Sequence, residues 1–130
     1  MTVTMITTGI LALLLLFLAS YVIAGRVKFK IDLGDGGNET IRRRIRAQAN
    51  FMEYVPLALI LLLLMETGAI GPRWLIVATG ATLVVARLWH AQGLLSKPGV
   101  SAGRFMGTNL TGLVLLVGAT ACIGRGAGAW

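Results

Sequence analysis

Residues 3–25 form an unbroken run of 23 uncharged, mostly apolar positions. A run of that length crosses a bilayer as a helix. A secretory leader is the competing reading, but no basic stretch precedes the run and its apolar part is too long for one. The helix is expected to be retained. Over 130 residues the chain is 56% hydrophobic and 13% charged. A soluble domain could not hide that much apolar surface, so the expected fold is all-α: one integral membrane four-helix bundle covering residues 1–130. Its helices are expected near 3–25, 40–66, 73–93 and 102–123. The formal net charge of +7 would suit nucleic acid. However, seven of the twelve Lys and Arg fall between Arg26 and Arg46, beside spans. That placement is a topology signal and a contact for anionic membrane lipids, and no nucleic acid is expected. Cys122, the single cysteine, excludes an internal disulfide, and no His/Cys cluster has metal-ligand spacing, so no metal is expected.

The second span imposes a sharper constraint. Its uncharged part, residues 54–65, would cover only about 18 Å of a core about 30 Å thick. The helix must begin near Ala47 or earlier, which carries Asn50 and Glu53 into the membrane. Arg46, Asn50 and Glu53 stand at i, i+4 and i+7 on one face, with Arg42 and Arg43 one turn below. Ionisable groups at that depth cost about 3 kcal/mol each when they face lipid, so they should face protein or a polar ligand. A basic juxtamembrane anchor before an ordinary span would account for the arginines but not for Asn50 and Glu53.

The rest of the chain is read in the same way. Residues 31–40 form a polar loop with Asp32, Asp35 and three glycines, followed by an Asn38-Glu39-Thr40 glycosylation pattern that its expected cytoplasmic side argues against. Pro56 should bend the second helix. A tight turn at 67–72 leads to a third helix ending with Arg87, Trp89 and His90. Then follow a short loop containing Lys97-Pro98-Gly99, a fourth helix with Arg104 in its first turn, and a glycine-rich tail. Gly107, Gly112 and Gly118 would allow close helix approach. The first loop carries seven basic residues, and Lys97 in the third is flanked by Arg87 and Arg104. The second loop has only Arg73 and the tail only Arg125. Both termini should therefore lie outside the cytoplasm.

With that topology Arg46, Asn50, Glu53, Arg87, His90 and Arg104 fall in the same leaflet, from three different helices. A shared cytoplasm-facing polar pocket is expected. A mostly cationic lining suits an anionic ligand with more than one carboxylate plus an ammonium: arginines clamp carboxylates, and Glu53 takes the ammonium. Single residues keep plainer readings. Arg87 with His90 could snorkel at a helix end, His90 could be a structural hydrogen-bonding group, and Arg104 could either snorkel or meet the ligand. Trp74 and Trp89 read as interface anchors.

Arg43-x-x-Arg46-Ala47-x-x-Asn50-x-x-Glu53 followed by Pro56, Arg87-x-x-His90, and Arg104 early in the last helix together resemble a known superfamily. It is that of membrane-associated proteins in eicosanoid and glutathione metabolism, in a bacterial-type form, and the likeness covers essentially the whole chain. Gly25-Arg26-Val27-Lys28 is similar to the end of that family's first helix. The resemblance implies an inner-membrane homotrimer with glutathione as co-substrate between neighbours near the cytoplasmic face. Lys28, Arg43, Arg46, Asn50, Glu53, Arg87 and His90 would bind the tripeptide, and Arg104 would stabilise its thiolate as the catalytic residue. Gln48, Leu94, Phe105 and Thr108 depart from residues frequent in the family, and these departures bear on the catalytic step more than on tripeptide binding.

The expected activity is a glutathione-dependent transferase or peroxidase acting on lipophilic small molecules that arrive through the bilayer. A non-catalytic lipid- or partner-binding protein of the same architecture is the alternative. A small multidrug exporter has similar length but needs a membrane carboxylate in its first helix, and here that helix is uncharged.

Overall fold

Helix ends in this chain follow local capping chemistry. In the computed structural model, which describes residues 1–96, 99 and 101–129, the Asn38 side chain accepts the Thr40 and Ile41 amides at 2.9 and 3.2 Å. The Asn38-Glu39-Thr40 pattern is thus a helix start. Four helices result among the described residues: α1 Thr2–Phe29, α2 Glu39–Thr67, α3 Arg73–Ser96 and α4 Ala102–Gly126. Each is long and apolar enough to cross a membrane, and together they form an all-α membrane bundle. α1 runs four residues beyond the expected end, because Arg26 and Lys28 sit favourably at the negative end of its dipole. It stops at Lys30, which takes the left-handed conformation, φ 54°. α3 continues to Ser96, whose hydroxyl donates to the Gln92 carbonyl at 2.6 Å. α4 starts at the Ser101 cap, whose Oγ accepts the Arg104 amide at 3.3 Å. Lys97, Pro98, Val100 and Trp130 lie outside the described residues, so the expected loop at Lys97-Pro98 and the end of the tail are not described.

Helices in lipid gain little from hiding apolar surface, since lipid tails are as apolar as leucine; close packing has to hold them together. α3 and α4 meet most intimately, through glycine. A Cβ on Gly107 would stand 2.6 Å from the Ala86 carbonyl oxygen and 2.6 Å from His90 Cβ, and one on Gly103 2.7 Å from the Trp89 carbonyl oxygen. Gly103 and Gly107 are four apart, so both fall on the same stripe. Gly118 similarly seats on Leu61 of α2. Gly112, expected to serve close approach as well, has no neighbour among the described residues within 4 Å of where a Cβ would stand. It lies off the stripe, on the wall of an open cavity shared with Asn50 and Arg87.

α1 is pinned at both ends. Near its start, the Val3 and Thr4 amides donate to the Glu66 carboxylate of α2 at 2.9 and 2.7 Å, with the Met1 ammonium 3.4 Å away. A carboxylate at a helix N-terminus satisfies otherwise unpaired amides and complements the dipole. Near its other end, the Arg44 guanidinium donates to the Tyr21 carbonyl at 2.8 Å and stacks 3.6 Å above the Tyr21 ring. Between these anchors Leu11 and Leu18 pack into a core with Phe51, Val55, Leu83 and Val114. A second cluster of Leu62, Met65, Ile70 and Ile76 closes the end that carries Glu66.

Candidate functional site

The Arg42-Arg43-Arg44 run divides because successive helical residues point about 100° apart. Arg44 turns to α1, whereas Arg42 and Arg43 stay on the face shared by Glu39, Arg46 and Asn50. That face forms one wall of a pocket of about 330 Å³ at the end of the bundle where α1 and α3 finish and α2 and α4 begin. His90 and Leu94 of α3, Arg104 and Thr108 of α4, and Gly99 complete the lining. Gly103 and Gly107 let α4 lie against the α3 backbone, so Arg104 and Thr108 reach the same space as His90. Ser101 reinforces the junction by donating to the Gly93 carbonyl at 2.8 Å.

A second cavity of about 420 Å³ adjoins the first through Asn50 and Thr108, which line both. Tyr54, Arg87, Asn109, Thr111 and Gly112 line the rest of it. Arg87 is 2% exposed. It donates to Asn50 Oδ1 at 2.8 Å and to Thr111 Oγ1 at 3.4 Å, and its Nη2 lies 3.2 Å from His90 Nδ1. Thr111 in turn donates to the Gly107 carbonyl at 2.7 Å. A guanidinium can only donate, so His90 accepts through Nδ1 and carries its proton on Nε2. Arg87 Nε has no partner, and among the described residues no carboxylate lies within ion-pair distance of this cation. A buried charge held only by neutral groups is costly. Snorkelling does not describe Arg87, whose head is directed inward.

Of the residues expected in the site, Arg43, Arg46, Asn50, His90 and Arg104 line the first pocket, and Arg87 lines the second while bonding Asn50. Glu53 lies one turn beyond the first pocket. It pairs with Arg46 at 3.6 Å, the two side chains being 49% and 58% exposed. Lys28 is exposed near the end of α1, 5.6 Å from the Phe29 ring centre, and lines neither cavity. The carboxylate that does line the first pocket is Glu39, paired with Arg42. Its seven-residue spacing to Arg46 was a readable signal, hidden because the residue also reads as the end of the loop. Asn109 and Tyr54 were missed for a different reason: single polar residues in apolar runs reveal no partner until the helices are packed.

The MAPEG family model matches residues 4–124. Two curated relatives, Inner membrane protein YecN from Escherichia coli K12 and its counterpart from Escherichia coli O6:H1, are each 34% identical over 82 residues. The match covers 63% of this chain and 62% of each relative, so the chain spans about three-fifths of the length of the relatives it matches.

Proposed function

The chain belongs to the MAPEG family, a superfamily of membrane proteins of eicosanoid and glutathione metabolism, and on that premise we propose that it binds glutathione and adds its thiolate to lipophilic electrophiles. The observation that carries this reading is the convergence of Arg43, Arg46, Asn50, His90 and Arg104 from three helices on one pocket of about 330 Å³. That volume is at the small end of ligand sites. Glutathione offers two carboxylates, an ammonium and a thiol. Arg43 and Arg46 would hold carboxylates, for which the guanidinium fork is shaped. Glu39 and Glu53 are the carboxylates near enough to serve the ammonium.

Arg104 would favour the ionised sulfur, being a permanent cation beside the exposed apolar Phe105 on the lipid-reachable face of α4. In the transfer reaction the sulfur lone pair forms a carbon–sulfur bond while the electrophile's leaving group departs with its bonding electrons. The reading further includes an inner membrane location, as in the name of the Escherichia coli relatives, with both termini outside the cytoplasm. It also includes a homotrimer, and one observation supports a neighbouring subunit at this face. The Arg46–Glu53 pair is half exposed in a single chain, and at membrane depth a neighbouring subunit is a cheaper cover than lipid.

Calorimetric titration of glutathione into the detergent-solubilised protein tests the proposal. Saturable binding that is weakened at least tenfold by Arg46→Leu, with ophthalmic acid (which lacks the thiol) binding similarly, is the expected result. Absence of saturable binding in the intact oligomer refutes it.

A further inference from the structure

At the end of the bundle opposite the arginine pocket, α1 and α3 diverge to leave a groove of about 500 Å³. Its walls are Ile6 and Ile10 of α1 and Val77 and Val84 of α3; its mouth carries Thr2 and Arg73. We infer that this groove holds one acyl chain of an anionic phospholipid, with the lipid phosphate on Arg73. The inference is independent of the glutathione reading, since the two sites share no residue.

Three observations select this occupant. The one charged residue of the lining, Arg73, is at the mouth, and beyond it the walls are apolar apart from Thr7 at the floor, which matches an amphipathic molecule lying along the helices and not a soluble ligand. Its floor is closed, because α1 and α3 touch where a Cβ on Gly80 would meet Thr7 Oγ1 at 2.7 Å, so a chain can lie in the groove without passing between the helices. Finally, Arg73 is exposed and has no ion pair among the described residues. Beside it Trp74 is 70% exposed, and an aromatic so placed marks the level of the lipid headgroups. A cation at headgroup level above an apolar groove is complementary in charge and polarity to an anionic lipid. From Arg73 to Val84 the helix rises about 16 Å, a length that accommodates most of one acyl chain.

Glu66 positions the mouth. By holding the Val3 and Thr4 amides it fixes the first turn of α1 against α2; Val3 and Arg73 line both this groove and the small cavity beside Glu66, whose carboxylate is already engaged by those amides and the Met1 ammonium.

The test is native mass spectrometry of the delipidated full chain in detergent, with dioleoyl phosphatidylglycerol or dioleoyl phosphatidylcholine added in turn. The wild-type protein should retain phosphatidylglycerol in preference. Arg73→Gln, a surface change, should lower that preference roughly fivefold, the weight of one cation at an anionic surface. Ala81→Leu, which fills the groove, should reduce retention of both lipids, with thermal unfolding confirming that the variant is folded. Equal retention of the two lipids by the wild type overturns the inference. So does a preference that survives Arg73→Gln, which would locate the anionic lipid at the cluster from Arg42 to Arg46. If Ala81→Leu instead dissociates the oligomer and leaves lipid retention unchanged, the groove is a subunit interface and the inference is likewise wrong.

Discussion

Replacing Gly107 by alanine tests whether glycine contact between α3 and α4 builds the site. The added methyl would stand 2.6 Å from the Ala86 carbonyl oxygen, 2.6 Å from His90 Cβ and 2.7 Å from the His90 amide nitrogen. Ordinary carbon contacts lie near 3.5–4.0 Å, so α4 must withdraw by about 1 Å along this seam. None of the three atoms is the end of a flexible side chain, so the strain cannot be absorbed by a rotamer change. Overpacking of this kind costs about 1–3 kcal/mol. Withdrawal also strains the already long 3.4 Å bond from Arg87 to Thr111, one turn along α4. Gly112→Ala is the matched control, because among the described residues nothing lies within 4 Å of its added methyl. In mixed-micelle unfolding, Gly107→Ala should lose about 1–3 kcal/mol and Gly112→Ala less than about 0.5 kcal/mol. Indistinguishable unfolding curves for the two variants would show that the seam is slack and the reasoning wrong.

Two further outcomes follow from the site and from the pinning of α1. With a chromogenic aryl halide, Arg104→Leu should slow turnover and move the rise in rate with pH up toward a free thiol value of about 8.5, because loss of a nearby cation makes the sulfur harder to ionise. Arg46→Leu should raise the glutathione requirement and leave the profile in place; a profile unmoved by Arg104→Leu would make Arg104 another carboxylate clamp. Glu66→Ala removes the acceptor for two amides and a favourable charge at the α1 N-terminus, worth about 1–2 kcal/mol. Amide exchange should quicken in the first turn of α1 and not near Tyr21, whose carbonyl is held separately by Arg44; uniform quickening along the helix would contradict the idea of two independent anchors.

The four spans were legible because each is a long apolar run, and chain length against bilayer thickness admits few alternatives. The pocket was legible for a related reason: Arg46, Asn50, His90 and Arg104 are too polar for their depth, and alternation of direction brings them to one end. What could not be read was which polar residue turns to which neighbour. Arg44 differs from Arg43 by one step of helical rotation, and only the position of α1 makes that step decisive. Glu66 reads as the last residue of a span, since its partners are backbone amides more than sixty residues away. Gly103 and Gly112 look alike in sequence; the orientation of α4 alone separates the one that touches α3 from the one that does not.

Arg87 bears on how the protein enters the membrane. Among the four helices α3 has the least hydrophobic apolar stretch and is the most enclosed by its neighbours, and this cation lies well within it. A lone arginine near mid-helix opposes insertion by about 2.5–3.5 kcal/mol. The groups that receive the guanidinium are His90 on α3 itself, Asn50, already in place on the preceding span, and, by the longest of the three contacts, Thr111 on the span that follows. Partition of α3 from the translocon into lipid should therefore be eased when α4 accompanies it, as the glycine seam between the two allows. A chain truncated before Ala102 would keep Asn50 and His90 on the guanidinium and lose Thr111, and is expected to hold α3 in the bilayer less securely.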